Sequence, residues 1–248
     1  MKGRHKMEAL VLSRRQSGEA DRLVTFFTRE HGLLRAVAKG VRKIPSRRGG
    51  HLEPYTQVLT ILTVSRAGAY VGAVEAMDHF EGLRGDEASL LIARNITSTV
   101  LGLFEEGDVQ AELYDAVQQA WGLLPTLSQA KAHVLEATLM SFALRQAGMM
   151  PNLTACQRCG VKVPTESIVL EASQGGWRCL LCHGGFSGTQ HSMPPAILKV
   201  LRFIYSQPAQ ALRVKLDEGQ ASYLLTGMRA YVAQVIEQPI HQELLSYG

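Results

Sequence analysis

Four cysteines are the residues of this sequence whose type and spacing point most directly to chemistry. They form two Cys-x2-Cys pairs separated by nineteen residues, a spacing typical of a paired zinc knuckle. Each pair directs two thiolates to the same side, and four thiolates complete a tetrahedral zinc site with no position left for an activated water. We therefore predict one structural Zn²⁺ per chain, bound by Cys156, Cys159, Cys179 and Cys182.

Two alternatives for the cysteines stay open at this point, namely four reduced buried thiols or two disulfides. His183, next to Cys182, is a further candidate ligand, which we interpret as a surface residue. Between the pairs, the strand-like run ESIVLEA and the turn SQGG predict a β-hairpin. The elements that position the thiols are therefore expected to be short strands and turns.

A second candidate site is the basic stretch from Leu33 to Gly50, which holds six Lys or Arg residues and no Asp or Glu. If LLRAVAK forms a strand, alternation places its small apolar residues in a core and its basic residues outside. A cationic strand face followed by a cationic loop suits a phosphate backbone, although a solvated basic surface is the alternative. We predict DNA contacts by Arg35, Lys39, Arg42, Lys43, Arg47 and Arg48.

Aromatic side chains near this stretch are candidates for stacking on bases. The nearest in sequence are Phe26, Phe27 and Tyr55. We interpret all three as core residues rather than stacking platforms.

The charge of the chain is distributed unevenly. The net charge is +4 overall, made up of +9 in residues 1–50, −7 in residues 51–150 and +2 in residues 151–248. Such an asymmetry suggests a polyanionic partner such as nucleic acid or a membrane surface.

The predicted secondary structure that carries these sites changes from strands to helices along the chain. Residues 1–80 contain five short runs rich in Val, Leu, Thr and aromatics, separated by turn signals, which favours a small closed barrel of the OB-fold type. An SH3-like barrel would have a similar sequence pattern. From Asp86 the apolar residues follow a helical period. The predicted fold class is α+β multidomain, with an N-terminal OB-fold barrel (1–80), a helical domain (81–150 and 194–248) and an inserted four-cysteine zinc module (151–193).

Several function classes are not expected. No apolar run approaches the ~20 residues of a membrane span, and the N-terminus lacks the apolar core of a signal peptide, so we expect a cytoplasmic protein without membrane association. The sequence contains no P-loop, G-x-S-x-G or H-E-x-x-H motif. We therefore predict that the protein is not an enzyme.

Three N-terminal motifs together resemble the RecO family of bacterial DNA-repair mediators. They are Gly-Glu-x-Asp-Arg at 18–22, Thr-Arg-Glu-His-Gly at 28–32 and Ala-Lys-Gly at 38–40. The stretches GMMPNLTACQRCG and GGWRCLLC resemble the zinc region of the same family. The resemblance covers most of the chain in order, and it implies an OB barrel, helices, a zinc module with a scaffold role, and C-terminal helices.

The resemblance also implies a role in recombinational repair. Members of the family bind single- and double-stranded DNA, anneal complementary strands, work with RecR, engage the acidic tail of single-stranded-DNA-binding protein and help to load RecA. We expect such a protein to be cytoplasmic and nucleoid-associated. Basic residues suited to an acidic tail are Lys199, Arg202, Arg213 and Lys215.

Two further interpretations of the sequence compete with a DNA-repair mediator. OB-folds and zinc modules bind RNA as well as DNA, so an RNA-binding protein is the main alternative. The third interpretation is an interaction protein whose basic loop docks an acidic protein.

Overall fold

The computed structural model describes residues 2–41, 48–66, 68–162, 167–184 and 192–236. The chain forms two compact units, one comprising Met1–Ala93 with Phe104–Pro125 and the other comprising Arg94–Leu103 with Thr126–Gly248. A sheet-rich N-terminal region, a helical region and a cluster of four cysteines are all present, as the sequence predicts. The finer division at residues 80, 150 and 193 stays a prediction.

The strands of the first unit form a closed barrel in the order β1-β2-β3-β5-β4. Burial alternates along parts of β3 and β4, because successive side chains of a strand point to opposite faces, whereas the last five residues of β2 are all buried. The barrel core contains Met7, Val11, Val24, Phe26, Ala36, Val58 and Leu62. The strands are β1 (Gly3–Ser17), β2 (Asp21–Thr28), β3 (Gly32–Ala38), β4 (Thr56–Ser65) and β5 (Gly68–Asp78).

Two pairings close the barrel. The fifteen-residue β1 pairs antiparallel with β4 through its first half and with β2 through its second half, with a bulge between Val11 and Ser13. A bulge bends a strand and increases its twist, which lets β1 pair with both β2 and β4. On the other side, β3 and β5 pair in parallel at Val37 and Tyr70.

Helices cover the outside of this barrel. In α4, Tyr114 packs edge-on against Phe27 of β2, and Trp121 packs edge-on against Tyr55 and Phe80. The boundary between the two units falls within α3, after Ala93. The helices of this part of the chain are α1 (Arg48–His51), α2 (Glu81–Gly85), α3 (Glu87–Leu103) and α4 (Ala111–Leu123).

The second unit combines helices with a small sheet whose strand order is β6-β8-β7-β9. A single buried cluster joins the two, because Trp177 and Cys156 of the sheet belong to the same core as Leu198, Leu201 and Leu224 of the helices. The elements are α5 (Gln129–Gln146), β6 (Asn152–Cys156), β7 (Ile168–Glu171), β8 (Gly176–Cys179), α6 (Leu180–His183), β9 (Ser192–Met193), α7 (Pro195–Ser206) and α8 (Glu218–Val235).

Two helix ends follow from local sequence. α5 begins after Ser128, which occupies the N-cap position although its side chain makes no capping hydrogen bond. It ends before Gly148, whose φ of +69° suits a residue without a Cβ. Among the described residues, no helix has the length and apolar character that crossing a bilayer would require.

Candidate metal centre and nucleic-acid interface

Two similar turns carry the four cysteines. Cys156 ends β6, and the chain turns through Cys159 to Gly160, whose φ is +74° and whose amide donates to the carbonyl of Cys156 at 3.0 Å. Cys179 ends β8, and Cys182 lies in the single turn of α6 that follows. The predicted hairpin is confirmed, since β7 and β8 pair antiparallel. The parallel pairing of β6 with β8, at Cys156 and Trp177, brings the second turn beside the first.

The four thiols lie close enough together to share one metal ion. All four Sγ atoms lie within 4.8 Å of one another, with the Sγ of Cys179 3.9 Å from that of Cys156 and 3.7 Å from that of Cys159. Tetrahedral zinc with Zn–S bonds of ~2.3 Å separates its sulfurs by ~3.8 Å, so the observed spacing fits such an ion. All four cysteines are free, and these distances far exceed the ~2.05 Å of a disulfide.

The surroundings of Cys156 favour its thiolate form. Burial raises the pKa of this thiol, but hydrogen bonds from the backbone amides of Cys159, Cys179 and Arg158 outweigh burial and bring the pKa to about 6. The thiol of Cys182 hydrogen-bonds to the sulfurs of Cys179 and Cys159, which raises its pKa to about 12. A cation bound among the sulfurs would stabilise all four thiolates.

Two arginines tie the cysteine turns together and to a neighbouring helix. Arg158 donates to the carbonyl of Cys182 at 3.0 Å and thereby links the two turns. Arg202 of α7 donates to the carbonyl of Leu153 at 2.6 Å and to that of Lys162 at 3.2 Å. Arg202 therefore supports the cysteine module, which argues against its prediction as a contact for an acidic tail. The cluster found among the described residues consists of the four cysteines and does not include His183.

The alternation predicted for the basic strand is observed. Ala36 and Ala38 lie in the barrel core and Arg35 is exposed on the outer face. The strand has the predicted seven residues but lies one position earlier, because β3 begins at Gly32 and ends at Ala38, and Lys39 lies in the turn that follows. The ammonium of Lys39 lies 4.6 Å from the ring centre of Tyr70 on β5.

The remaining predicted DNA contacts fall largely outside the described residues. Arg42, Lys43 and Arg47 are among residues 42–47, and only the backbone of Arg48 is described, in α1. These four positions stay predictions.

The aromatic residues nearest in sequence to the basic strand are not available for stacking on a ligand. Phe26 and Phe27 are fully buried, and Tyr55 is half-buried with its ring edge-on to Trp121 at 5.4 Å. The interpretation as core residues is confirmed for Phe26 and Phe27, whereas Tyr55 is only half-buried. Sequence reasoning missed Tyr70, which lies far along the chain from β3 and reaches it only through the parallel pairing with Val37.

Acidic residues from elsewhere approach the basic region. A carboxylate oxygen of Glu106 accepts a hydrogen bond from the backbone amide of Arg35 at 2.6 Å. Arg14 and Arg22 form ion pairs with Glu53. Part of the N-terminal basic excess is therefore neutralised by Glu53, which lies just after the basic stretch.

Fold and site together define a class of protein, namely one with a closed β-barrel that exposes Arg35 and Lys39 and a helix-rich unit with four thiols that could hold a metal ion. The chain matches the family description "Recombination protein O N terminal" over residues 1–79 and "Recombination protein O C terminal" over residues 84–243. It therefore belongs to the recombination protein O (RecO) family, as its motifs indicated.

Curated relatives support this assignment. The chain is 30% identical over 238 residues to a "DNA repair protein RecO" of Roseiflexus sp. (strain RS-1), covering 94% of this chain and 82% of the relative. Proteins of the same name from Anaeromyxobacter dehalogenans (strain 2CP-C) and Thermobifida fusca (strain YX) are 34% and 33% identical, each covering 78% of this chain and 75% and 78% of the relative.

Proposed function

We propose that this protein is a non-enzymatic mediator of recombinational repair that binds single- and double-stranded DNA and anneals complementary strands. Its relatives are named DNA repair proteins, and they match along almost the whole chain. The observation that carries the DNA-binding part is the placement of exposed Arg35 on the outer face of the barrel with Lys39 directly after the strand. The basic residues 42–48 extend this surface in sequence.

The barrel is proposed to be an OB-fold. Five strands in the order β1-β2-β3-β5-β4, with a long bulged β1 that pairs with both β2 and β4, support this assignment. OB-folds bind single strands in a cationic groove on their outer surface, with exposed aromatic side chains as stacking platforms. Residues 1–80 are then the DNA-binding domain, 81–150 and 194–248 the helical domain, and 151–193 the zinc module.

Strand annealing follows from neutralising phosphates. Two complementary strands repel each other through their backbones, and cationic side chains that displace counterions from both strands lower that repulsion. Such binding tolerates any sequence and weakens steeply with salt. No bond of the DNA is made or broken, so the activity needs no catalytic group.

The four-cysteine centre is proposed to hold one structural zinc ion. Its four sulfurs fill a tetrahedral coordination shell, and Cys156 and Cys179 are part of the hydrophobic core of the second unit. The role of these residues is to tie the cysteine turns to the helices, and no step of annealing involves them.

Partners are proposed from the family. RecR, single-stranded-DNA-binding protein through its acidic tail, and RecA indirectly are the expected partners of a protein that works in the cytoplasm on the nucleoid. With Arg202 engaged by backbone carbonyls, the exposed basic residues that remain for an acidic tail are Lys199, Arg213 and Lys215.

The test is annealing of complementary oligonucleotides over a salt series. The quadruple variant Arg35→Glu, Lys39→Glu, Arg42→Glu, Lys43→Glu is expected to lose strand binding and annealing, because each reversal replaces phosphate attraction with repulsion. A control of equal charge change carries Lys131→Glu, Lys199→Glu, Arg213→Glu, Lys215→Glu on exposed residues of the second unit. It should anneal like wild type.

Two outcomes would count against the proposal. If strand binding and its salt slope survive in the quadruple variant, the basic surface serves another partner, such as an acidic protein. In competition between DNA and RNA strands of matched sequence, a strong preference for RNA would favour the RNA-binding alternative.

A further inference from the structure

The outer surface of the barrel carries a row of side chains that crosses four strands. The pairings Arg15 with Leu23, Leu23 with Val37 and Val37 with Tyr70 place one residue each from β1, β2, β3 and β5 side by side. Neighbours in a sheet are ~4.8 Å apart across the strands, so these side chains form one continuous band.

This band faces outward from the barrel. The chain neighbours of its members, among them Val24, Ala38 and Val71, belong to the buried core, and alternate side chains of a strand face opposite ways. Arg15 is exposed, while Leu23 and Tyr70 are partly exposed. The band therefore presents an apolar and aromatic centre with a cation at one end.

Further cations border the aromatic end. The ammonium of Lys39 lies 4.6 Å from the ring centre of Tyr70, within the range of a cation–π contact that helps to hold the ring in place. Arg35, two residues before Val37 on the same face of β3, is exposed beside the band. Acidic side chains lie on both sides of these cations, because Glu106 accepts from the backbone amide of Arg35 and Asp21 accepts from that of Gly40, the residue after Lys39. The cations beside the ring are therefore Arg35 and Lys39.

We propose that Tyr70 stacks against one unpaired base while Arg15, Arg35 and Lys39 hold the neighbouring phosphates, which makes this face selective for single strands. The inference rests on the proposed DNA-binding function and deepens it. In a duplex both faces of each base are already stacked, so the phenol ring contributes nothing, whereas the cations attract the phosphates of either form. Single-strand preference then comes from the ring and general affinity from the cations.

The test measures binding of wild type and variants to a fluorescent 20-nucleotide single strand and to the matching duplex, over a salt series. Tyr70→Leu is expected to weaken single-strand binding about ten-fold, the loss of one base stack, with duplex binding and the salt slope unchanged. Tyr70→Phe retains the ring and should bind like wild type. Arg35→Gln should weaken both DNA forms and reduce the salt slope by about 0.7–0.9.

A control and a second measurement separate stacking from loss of structure. Tyr223→Leu removes a tyrosine that is 56% exposed on α8 of the other unit and should change nothing. A series of strands with one abasic position each should show an affinity loss in wild type at the position that meets the ring, and none there in Tyr70→Leu. The losses of binding free energy from removing the base and from removing the ring are then non-additive, as expected for two groups in contact.

The outcomes distinguish this inference from the function on which it rests. If wild type binds neither DNA form, the DNA-binding function itself is wrong. If wild type binds but Tyr70→Leu weakens single strand and duplex equally, or weakens neither, the stacking role is overturned while DNA binding stands. An equal loss in Tyr70→Phe would also overturn it, since the hydroxyl would then carry the effect.

Discussion

At the scale of single residues, Glu136 illustrates how burial controls charge in the second unit. Its carboxylate is fully buried on α5 and accepts hydrogen bonds from Arg229 at 2.7 and 2.8 Å and from Asn95 at 3.0 Å. Burial raises the pKa of Glu136, and the contacts with Arg229 and Asn95 only partly offset it. The folded state therefore binds this proton more tightly than the unfolded chain does.

The pH dependence of stability follows from the direction of that shift. Between the unfolded pKa near 4.5 and the higher folded pKa, the folded protein carries more protons at Glu136 than the unfolded chain. Its contribution to the free energy of unfolding is thus present below pH ~4.5 and is lost as pH rises through the folded pKa. Glu136→Gln should remove this decline in the free energy of unfolding with rising pH.

Removing the partner of Glu136 should cost far more than removing its charge. Arg229→Met leaves a buried carboxylate without its cation, and we expect a loss of about 3 kcal/mol at pH 7.5 that shrinks at pH 5 as the carboxyl protonates. The double variant with Glu136→Gln should recover most of the loss. Urea unfolding of the four proteins at both pH values measures this. An equal loss from Arg229→Met at pH 5 and 7.5 would contradict the argument.

At the scale of elements, the segment after α3 is held against the edge of β3. The amide of Gly107 donates to the carbonyl of Leu33 at 3.0 Å, and the same segment supplies the Glu106 bond to Arg35. The approach depends on Gly32, whose φ is +64° and where an added Cβ would lie 1.9 Å from the carbonyl oxygen of Asp108. The β2–β3 turn therefore packs directly against the segment that follows α3.

Gly32→Ala is expected to disrupt the contact between the β2–β3 turn and the segment after α3. Gly18→Ala is a matched control, because Gly18 has a φ of +74° in another turn with nothing within 4 Å of the added Cβ. The left-handed conformation alone costs the control about 1–2 kcal/mol, and the collision with Asp108 adds to that at Gly32. Urea unfolding and hydrogen exchange at Gly107 measure both effects. Equal losses in the two variants would mean that the segment moves away freely.

At the scale of the whole molecule, the four-cysteine cluster and the helices of the second unit share one core. Cys156, Cys179 and Trp177 pack in the same buried cluster as residues of α5, α7 and α8. Stabilisation by a metal that binds only the folded form should therefore reach those helices. The barrel has a separate core of its own.

Protein purified without added zinc is expected to contain one zinc per chain. Cys179→Ser or a strong chelator should remove it, lower the unfolding temperature and increase hydrogen exchange in α5, α7 and α8, with β1 to β5 little changed. His183→Ala, beside the cluster, should keep the metal. Wild-type protein without metal and with four titratable thiols would refute the zinc assignment.

Much of the fold could be predicted from sequence because the relevant signals are local. The apolar period distinguishes the five N-terminal strands from the helices that follow, and the Cys-x2-Cys spacing identifies the four thiols that the fold brings within 4.8 Å. The outward side of Arg35 follows from strand alternation, which the core residues Ala36 and Ala38 obey. Each of these features depends on a few consecutive residues.

Only the tertiary structure reveals contacts between residues that are distant in sequence. Tyr70 joins the basic strand through a parallel pairing, Glu106 brings a carboxylate to a stretch without acids, and Arg202 is engaged by the cysteine module. No local period encodes such contacts, because strand register and helix placement result from packing the whole core. The sequence by itself therefore determined which residues can do chemistry, and the closed barrel and the shared core of the second unit decided which of them meet.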